Sequence, residues 1–270
     1  YESKGLCLPG TCDLAGNPMG GWAQYSYSPA NHSWLCFCLA QHYYYTGDTA
    51  LLADFIYPYL KASAQTLLDF CDRDENGKYV IRCSSSPEIY GNDCKAWMTG
   101  NSNYDLALMR RHITDLVDLA GILGNGEQSY WQKVLDDMPP FHRSRYGLMV
   151  DAKTEYFESH RHLGHAMAVY PLDLLDYDTD KRLIDDTLAR IESFGYTWWV
   201  GFSFPWMALL YTRARDGENA LRHLNLYANN FISANGFNLN GDYKRNGISC
   251  YTYRPFTLEG CFAYSAAVNE

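Results

Sequence analysis

Helix-length stretches separated by short polar breaks run through most of this sequence, and almost no segment alternates as a sheet strand does. From Trp34 to about Tyr45 the chain is apolar and helix-compatible, and Thr46-Gly47-Asp48 then breaks and restarts it. Asp48 can cap a second stretch, from about Ala50 to Asp72, with apolar positions at Leu51, Phe55, Leu60, Leu67 and Phe70. Pro58 has no N–H to donate and should kink or split that stretch. A turn at Asp74-Glu75-Asn76-Gly77 and a short β run at Tyr79-Val80-Ile81 follow. Asn103 or Asp105 opens a third helix that ends near Gly121 to Gly124, and another lies around Tyr130 to Asp137. A polar, hairpin-like stretch covers Arg143 to Tyr156, and further helices are predicted over 160–175, 180–194, 203–215, 217–232 and 259–270. The fold class is therefore all-α, with helical hairpins stacked as in an α/α toroid and short β-hairpin scraps in the loops. No low-complexity linker divides the chain and no tight repeat recurs, so a single domain over 1–270 is expected. In a toroid the functional loops gather at one end of the helices, where a carbohydrate cleft can form.

Charge narrows the function classes. The 22 basic and 31 acidic residues leave a net charge of −9, with no basic stripe to neutralise phosphates. A nucleic-acid partner or an anionic membrane surface is thereby disfavoured. No apolar run is long enough to cross a bilayer. No Gly-x-Gly-x-x-Gly follows a strand and no Gly-x-x-x-x-Gly-Lys occurs, so nucleotide folds lack support. The 23 Tyr, 12 Phe and 7 Trp suit either stacking on sugar rings or an aromatic core. The nine cysteines, at positions 7, 12, 36, 38, 71, 83, 94, 250 and 261, are an odd number without zinc-site spacing. Cys36 and Cys38 read as buried thiols on an apolar helix, and a reducing or anaerobic setting is favoured. Tyr1-Glu2-Ser3-Lys4-Gly5 carries neither an initiator Met nor a signal peptide, and Ala266-Ala267-Val268-Asn269-Glu270 stops inside an apparent helix. The chain thus reads as a segment of a longer protein, with further domains of the parent chain as partners and the compartment left open.

Three stretches can carry chemistry. In Ser84-Ser85-Ser86-Pro87-Glu88-Ile89-Tyr90, Pro87 fixes its own φ and pushes Ser86 out of the helical region, so Glu88 sits on a defined loop. Partial desolvation beside Ile89, Tyr90 and Trp97 would suit a general acid, and the alternative is a solvated loop glutamate. The second stretch is Glu158-Ser159-His160-Arg161-His162-Leu163-Gly164-His165. On a helix His162 and His165 share a face, which could suit a metal, but Arg161 would repel a cation. Hydrogen bonding of sugar hydroxyls by His and Arg fits better, and capping or core histidines remain the alternative. The third is Glu259, where a loop runs into a helix: the helix dipole keeps such a glutamate ionised, as a general base requires and as any N-terminal glutamate shows. A glycosidase needs two carboxyls of opposite duty, so Glu88 and Glu259 would have to meet through the fold.

Four motifs in register resemble a known family. Trp34-Leu35-Cys36 runs into His42-Tyr43-Tyr44-Tyr45-Thr46-Gly47-Asp48, and Ser-Ser-Ser-Pro-Glu follows at 84–88. His-Arg-His-Leu-Gly-His at 160–165 is followed by Tyr170-Pro171 and then by Ala214-Arg215-Asp216-Gly217. In this order they resemble the catalytic domain of glycoside hydrolase family 95, the inverting α-L-fucosidases and α-L-galactosidases, from about Gly21 to Glu270. The resemblance implies an (α/α)6 barrel, Glu88 as general acid, and Arg161 and His162 as contacts to the sugar undergoing cleavage. Glu259 falls where the family usually has Asp, in a segment like Gln-Ile-Asp-Gly-Asn-Phe that here reads Thr257-Leu258-Glu259-Gly260-Cys261-Phe262. The family activates water with that residue and with two asparagines of an earlier motif, which is not found between Tyr1 and Glu88. His160 joins the sugar-contacting set, as do Asn31 and His32 just before Trp34. Trp22, Trp34, Trp97 and Trp206 are candidates for stacking on the sugar or for core packing. The expected partner is an oligosaccharide or glycan, with no cofactor and no metal. Two rival readings are a polysaccharide lyase on a similar toroid, using Tyr, His and Arg, and a non-catalytic carbohydrate-binding domain.

Overall fold

Short side chains set most of the helix starts. Asp48, Ser102, Asp176 and Asp216 each accept a backbone N–H two or three residues ahead, satisfying a donor that the first turn leaves unpaired. Gly47 and Gly124 close two helices in the left-handed region, at φ 66° and 59°. The computed structural model describes residues 3–26, 28–98 and 100–270, and helices dominate it. The chain divides into two units, Tyr1–His142 and Arg143–Glu270.

In the first unit the helices are α1 (Ala23–Ser26), α2 (Ser33–Thr46), α3 (Thr49–Leu51), α4 (Tyr57–Asp69), α5 (Asn103–Leu123) and α6 (Gln128–Asp136). The long α5 is central: it packs on α2, α4 and α6, and buries Leu106, Met109, Ile113 and Leu116 completely. Pro58 splits the second stretch as expected. A wide turn at Leu52–Ile56 precedes α4, and the Tyr57 N–H reaches five residues back to Leu52. Pro58 then sits in the first turn of α4, where its missing donor costs nothing. The predicted continuation of that helix to Asp72 does not occur. Cys71–Arg73 (β1) pairs antiparallel with Tyr79–Ile81 (β2), and the Arg73 guanidinium lies 3.5 Å from the Tyr79 ring centroid.

In the second unit a two-residue hairpin, β3 (Arg143–Ser144) with β4 (Gly147–Leu148), leads to α7 (Tyr177–Ser193), α8 (Ser203–Arg213), α9 (Gly217–Asn230) and α10 (Glu259–Asn269). Helix α8 packs on α7, α9 and α10 over a core containing Trp199, Phe204, Tyr227 and Phe231. The helix predicted over 160–175 is absent, and only a 3-10 turn at Gly164–Ala166 forms there. Side chains capture the donors a helix would need. The His160 N–H bonds Tyr156 Oη at 3.1 Å, and the His162 N–H bonds His160 Nδ1 at 3.1 Å. His162 and His165 therefore share no helical face, and His165 is buried and stacked on the Tyr156 ring at 4.5 Å.

Candidate active site

In the first unit Glu88 is half-buried at the tip of a loop whose base is fixed to α5. Asp105, in the first turn of α5, accepts the Ser84 hydroxyl at 2.7 Å and the Ser85 N–H at 3.0 Å. Ser102 donates its hydroxyl to the Ser85 carbonyl at 2.7 Å while capping α5. Burial pushes the Asp105 carboxyl up to about 6, against the hydrogen bonds from the serines. Above that pH it is an anionic anchor for the loop. Beyond it the backbone turns twice, with the Ile89 N–H on Ser86 O and the Gly91 N–H on Glu88 O, both at 2.8 Å.

Helix α1 lies against the same loop. Tyr25 donates its phenol to Glu88 Oε1, and Gln24 Nε2 bonds the carbonyls of Ile89, at 2.8 Å, and Gly91. Trp22 stands beside Gly91, where a Cβ would lie 3.8 Å from its ring. Gly10 borders both the Tyr25 carbonyl and the Asn31 amide, so Asn31 neighbours the residue that holds Glu88. Asn31 Oδ1 accepts the Tyr104 phenol at 2.6 Å, and Trp34, one turn on, makes a T-shaped edge contact with Phe37. His32 points elsewhere, to Tyr59 Oη at 2.7 Å. Trp97 is half-buried, and Trp206 in the second unit is tied down through its indole N–H to Tyr170 O at 3.2 Å.

In the second unit His160, Arg161 and His162 form one cluster. The two histidine rings are 5.6 Å apart, and His162 also meets Phe202 at 5.3 Å. Arg161 donates Nη1–H to Tyr251 Oη at 3.1 Å, while its carbonyl accepts the Ser203 hydroxyl at 2.8 Å. Burial, and then the Arg161 charge, push the His162 imidazole down to about 4, opposed by a favourable interaction with Glu259. Burial and the neighbouring His162 lower His160 to about 4 as well. Both rings are thus neutral at neutral pH and can donate and accept hydrogen bonds to hydroxyls. Glu259 is exposed as the first residue of α10, close enough for its charge to act on His162.

The approach to Glu259 is fixed by Asn238. Its buried amide donates to Thr257 O at 3.3 Å and to the Thr257 hydroxyl. A Cβ on Gly260 would come within 2.5 Å of Asn238 Oδ1, so glycine is required there for close approach. Tyr25, Asp105, Ser102, Tyr251 and Asn238 had no sequence motif of their own. Their partners lie between 17 and 90 positions away, beyond the reach of any local pattern. Among the described residues no group of three or more His, Cys, Asp or Glu is placed to hold a metal, and no helix is long and apolar enough to cross a membrane.

Residues 1–270 match the glycosyl hydrolase family 95 catalytic domain. No curated protein matches the sequence. Among solved structures, the chain is similar to a glycosidase variant at 12% identity and a TM-score of 0.62, over 94% of this chain and 68% of that one. A second glycosidase variant, in complex with glucose, is similar at 12% identity and a TM-score of 0.64, with the same coverage. At such identity the likeness establishes a shared helical fold.

Proposed function

The chain belongs to glycosyl hydrolase family 95, and on that premise we propose that it is an inverting exo-glycosidase. It removes a terminal α-L-fucosyl or α-L-galactosyl residue from oligosaccharides or glycans. The same membership implies that its helical hairpins form part of one (α/α)6 barrel domain.

The observation that carries this reading is Glu88: a half-buried carboxyl on a loop anchored by Asp105 and Ser102, with Tyr25 bonded to one oxygen. Such a group is held in one orientation with little freedom, as proton transfer at a defined bond requires. In the proposed single displacement Glu88 gives its proton to the glycosidic oxygen as the C1–O bond breaks. Water attacks C1 from the opposite face and passes a proton to Glu259. Inversion needs the two carboxyls roughly 6.5–9.5 Å apart, with the water between them. Arg161 and the neutral His160 and His162 are assigned to hydroxyls of the terminal sugar undergoing cleavage, with Asn31 and Trp34 as further sugar contacts.

Glu88→Gln tests the acid role through its dependence on the leaving group. On 2′-fucosyllactose, whose lactose must be protonated to leave, a loss of about 10²–10⁴-fold in kcat is expected. On α-L-fucosyl fluoride, whose fluoride leaves unprotonated, the loss should be far smaller. An equal loss on both substrates would count against Glu88 as the acid.

A further inference from the structure

One buried amide touches both halves of the site in the second unit. Helix α8 begins beside the Arg161–His162 cluster: Ser203 holds the Arg161 carbonyl, and Phe202 meets the His162 ring. Helix α10 begins with Glu259. Asn238 lies between these two helix starts. A Cβ on Gly201, just before Phe202, or on Gly260, just after Glu259, would come within 2.5 Å of its Oδ1. Glycine at both positions lets the two backbones close on the same atom.

Asn238 is completely buried and grips the approach to Glu259. It holds Thr257, two residues before Glu259, at three points. Its Nδ2 donates to the Thr257 carbonyl at 3.3 Å and to the Thr257 hydroxyl, and its own carbonyl accepts the Thr257 N–H at 3.4 Å. The Gly201 N–H bonds Asn240 O at 2.9 Å, so the segment that carries Asn238 also fixes the entry to α8. Asn238 Oδ1 has no hydrogen-bond partner among the described residues. An unpaired buried oxygen costs stability that an apolar side chain of similar size would not. Packing alone therefore does not account for an asparagine here, whereas the grip on Thr257 does.

We propose that Asn238 is a positioning residue that keeps Glu259 in register with Arg161 and His162, so that the water Glu259 activates faces the bond being broken. The inference rests on the glycosidase reading with Glu259 as base, and adds the residue that sets the base against the bound sugar. Loss of Asn238 spares the groups that bind the sugar and slows the attack of water.

Asn238→Ala, made in the protein that carries this chain, is compared with wild type on 2′-fucosyllactose and on α-L-fucosyl fluoride. Both substrates need the attacking water, so kcat should fall about 100-fold on both, with KM changed by less than about twofold. Glu88→Gln, by contrast, separates the two substrates. Thr257→Val keeps the side-chain shape and removes only the hydroxyl that accepts from Asn238. Its kcat should fall about tenfold in a protein that melts like wild type, and Thr257→Ser, which keeps the hydroxyl, should retain wild-type kcat. A crystal structure of Asn238→Ala should show the Glu259 carboxylate displaced by about 1 Å relative to Arg161. An unmoved Glu259, a rise in KM with kcat unchanged, or a larger loss on 2′-fucosyllactose than on the fluoride would overturn the proposal. If the wild-type protein cleaves neither substrate, the fucosidase reading fails, and the crystal structure alone decides whether Asn238 positions Glu259.

Discussion

Glu88 owes its position to residues far along the chain. Its Ser-Pro-Glu setting was legible in the sequence because Pro87 forces a defined loop. The partners were not legible, since Tyr25 precedes it by 63 positions and Asp105 meets Ser84 across 21. Tyr25→Phe removes one donor to the carboxyl and leaves the ring, so kcat should fall roughly tenfold with little change in melting temperature. Kinetics and a thermal melt on the same sample separate those two effects. Asp105→Ala should act on stability first. It leaves the Ser84 hydroxyl and the Ser85 N–H buried without their acceptor, at about 2–4 kcal/mol in a denaturant titration.

Among the elements, periodicity located the long helices well because their apolar stripes face a core: α5 was expected from Asn103 or Asp105 to Gly121–Gly124 and runs Asn103–Leu123. Pattern failed where side chains compete with backbone. The 160–175 segment is apolar enough for a helix, yet Tyr156 and His160 take the N–H groups that would have started it. The same competition, turned to use, caps α5 through Ser102. Ser102→Ala removes the cap and the bond to Ser85 together, so about 2 kcal/mol should be lost in urea unfolding, with a fall in kcat as the Glu88 loop loosens. At the other end of the chain, Gly260→Ala would drive a Cβ against Asn238 and Tyr227, at 2.5 and 2.8 Å, and displace the start of α10. A drop in kcat at least tenfold is expected in a protein that still folds, by analogy with the effect of small misplacements of catalytic groups.

For the molecule as a whole, the acidic balance and aromatic content were legible from composition, whereas the burial of the titrating groups was not. Burial holds His112, His160 and His162 down to about 4, and His165 to about 3. Between pH 6.5 and 4 the unfolded chain therefore binds protons on these histidines that the folded chain does not, so their contribution to stability is lost as pH falls. Asp105 and Asp115, raised to about 6 by burial, act in the opposite sense between pH 6 and 3.8. Four histidines outweigh two aspartates, and the melting temperature should fall steadily from pH 7 to pH 4.5. A flat profile would mean that these imidazoles are not held neutral. The central claim, a single displacement with Glu88 as acid, is tested most directly by the anomer first released from 2′-fucosyllactose, followed by proton NMR before mutarotation. Inversion releases β-L-fucose, lost in Glu88→Gln; α-L-fucose as the first product, or an unimpaired Glu88→Gln variant, would contradict it.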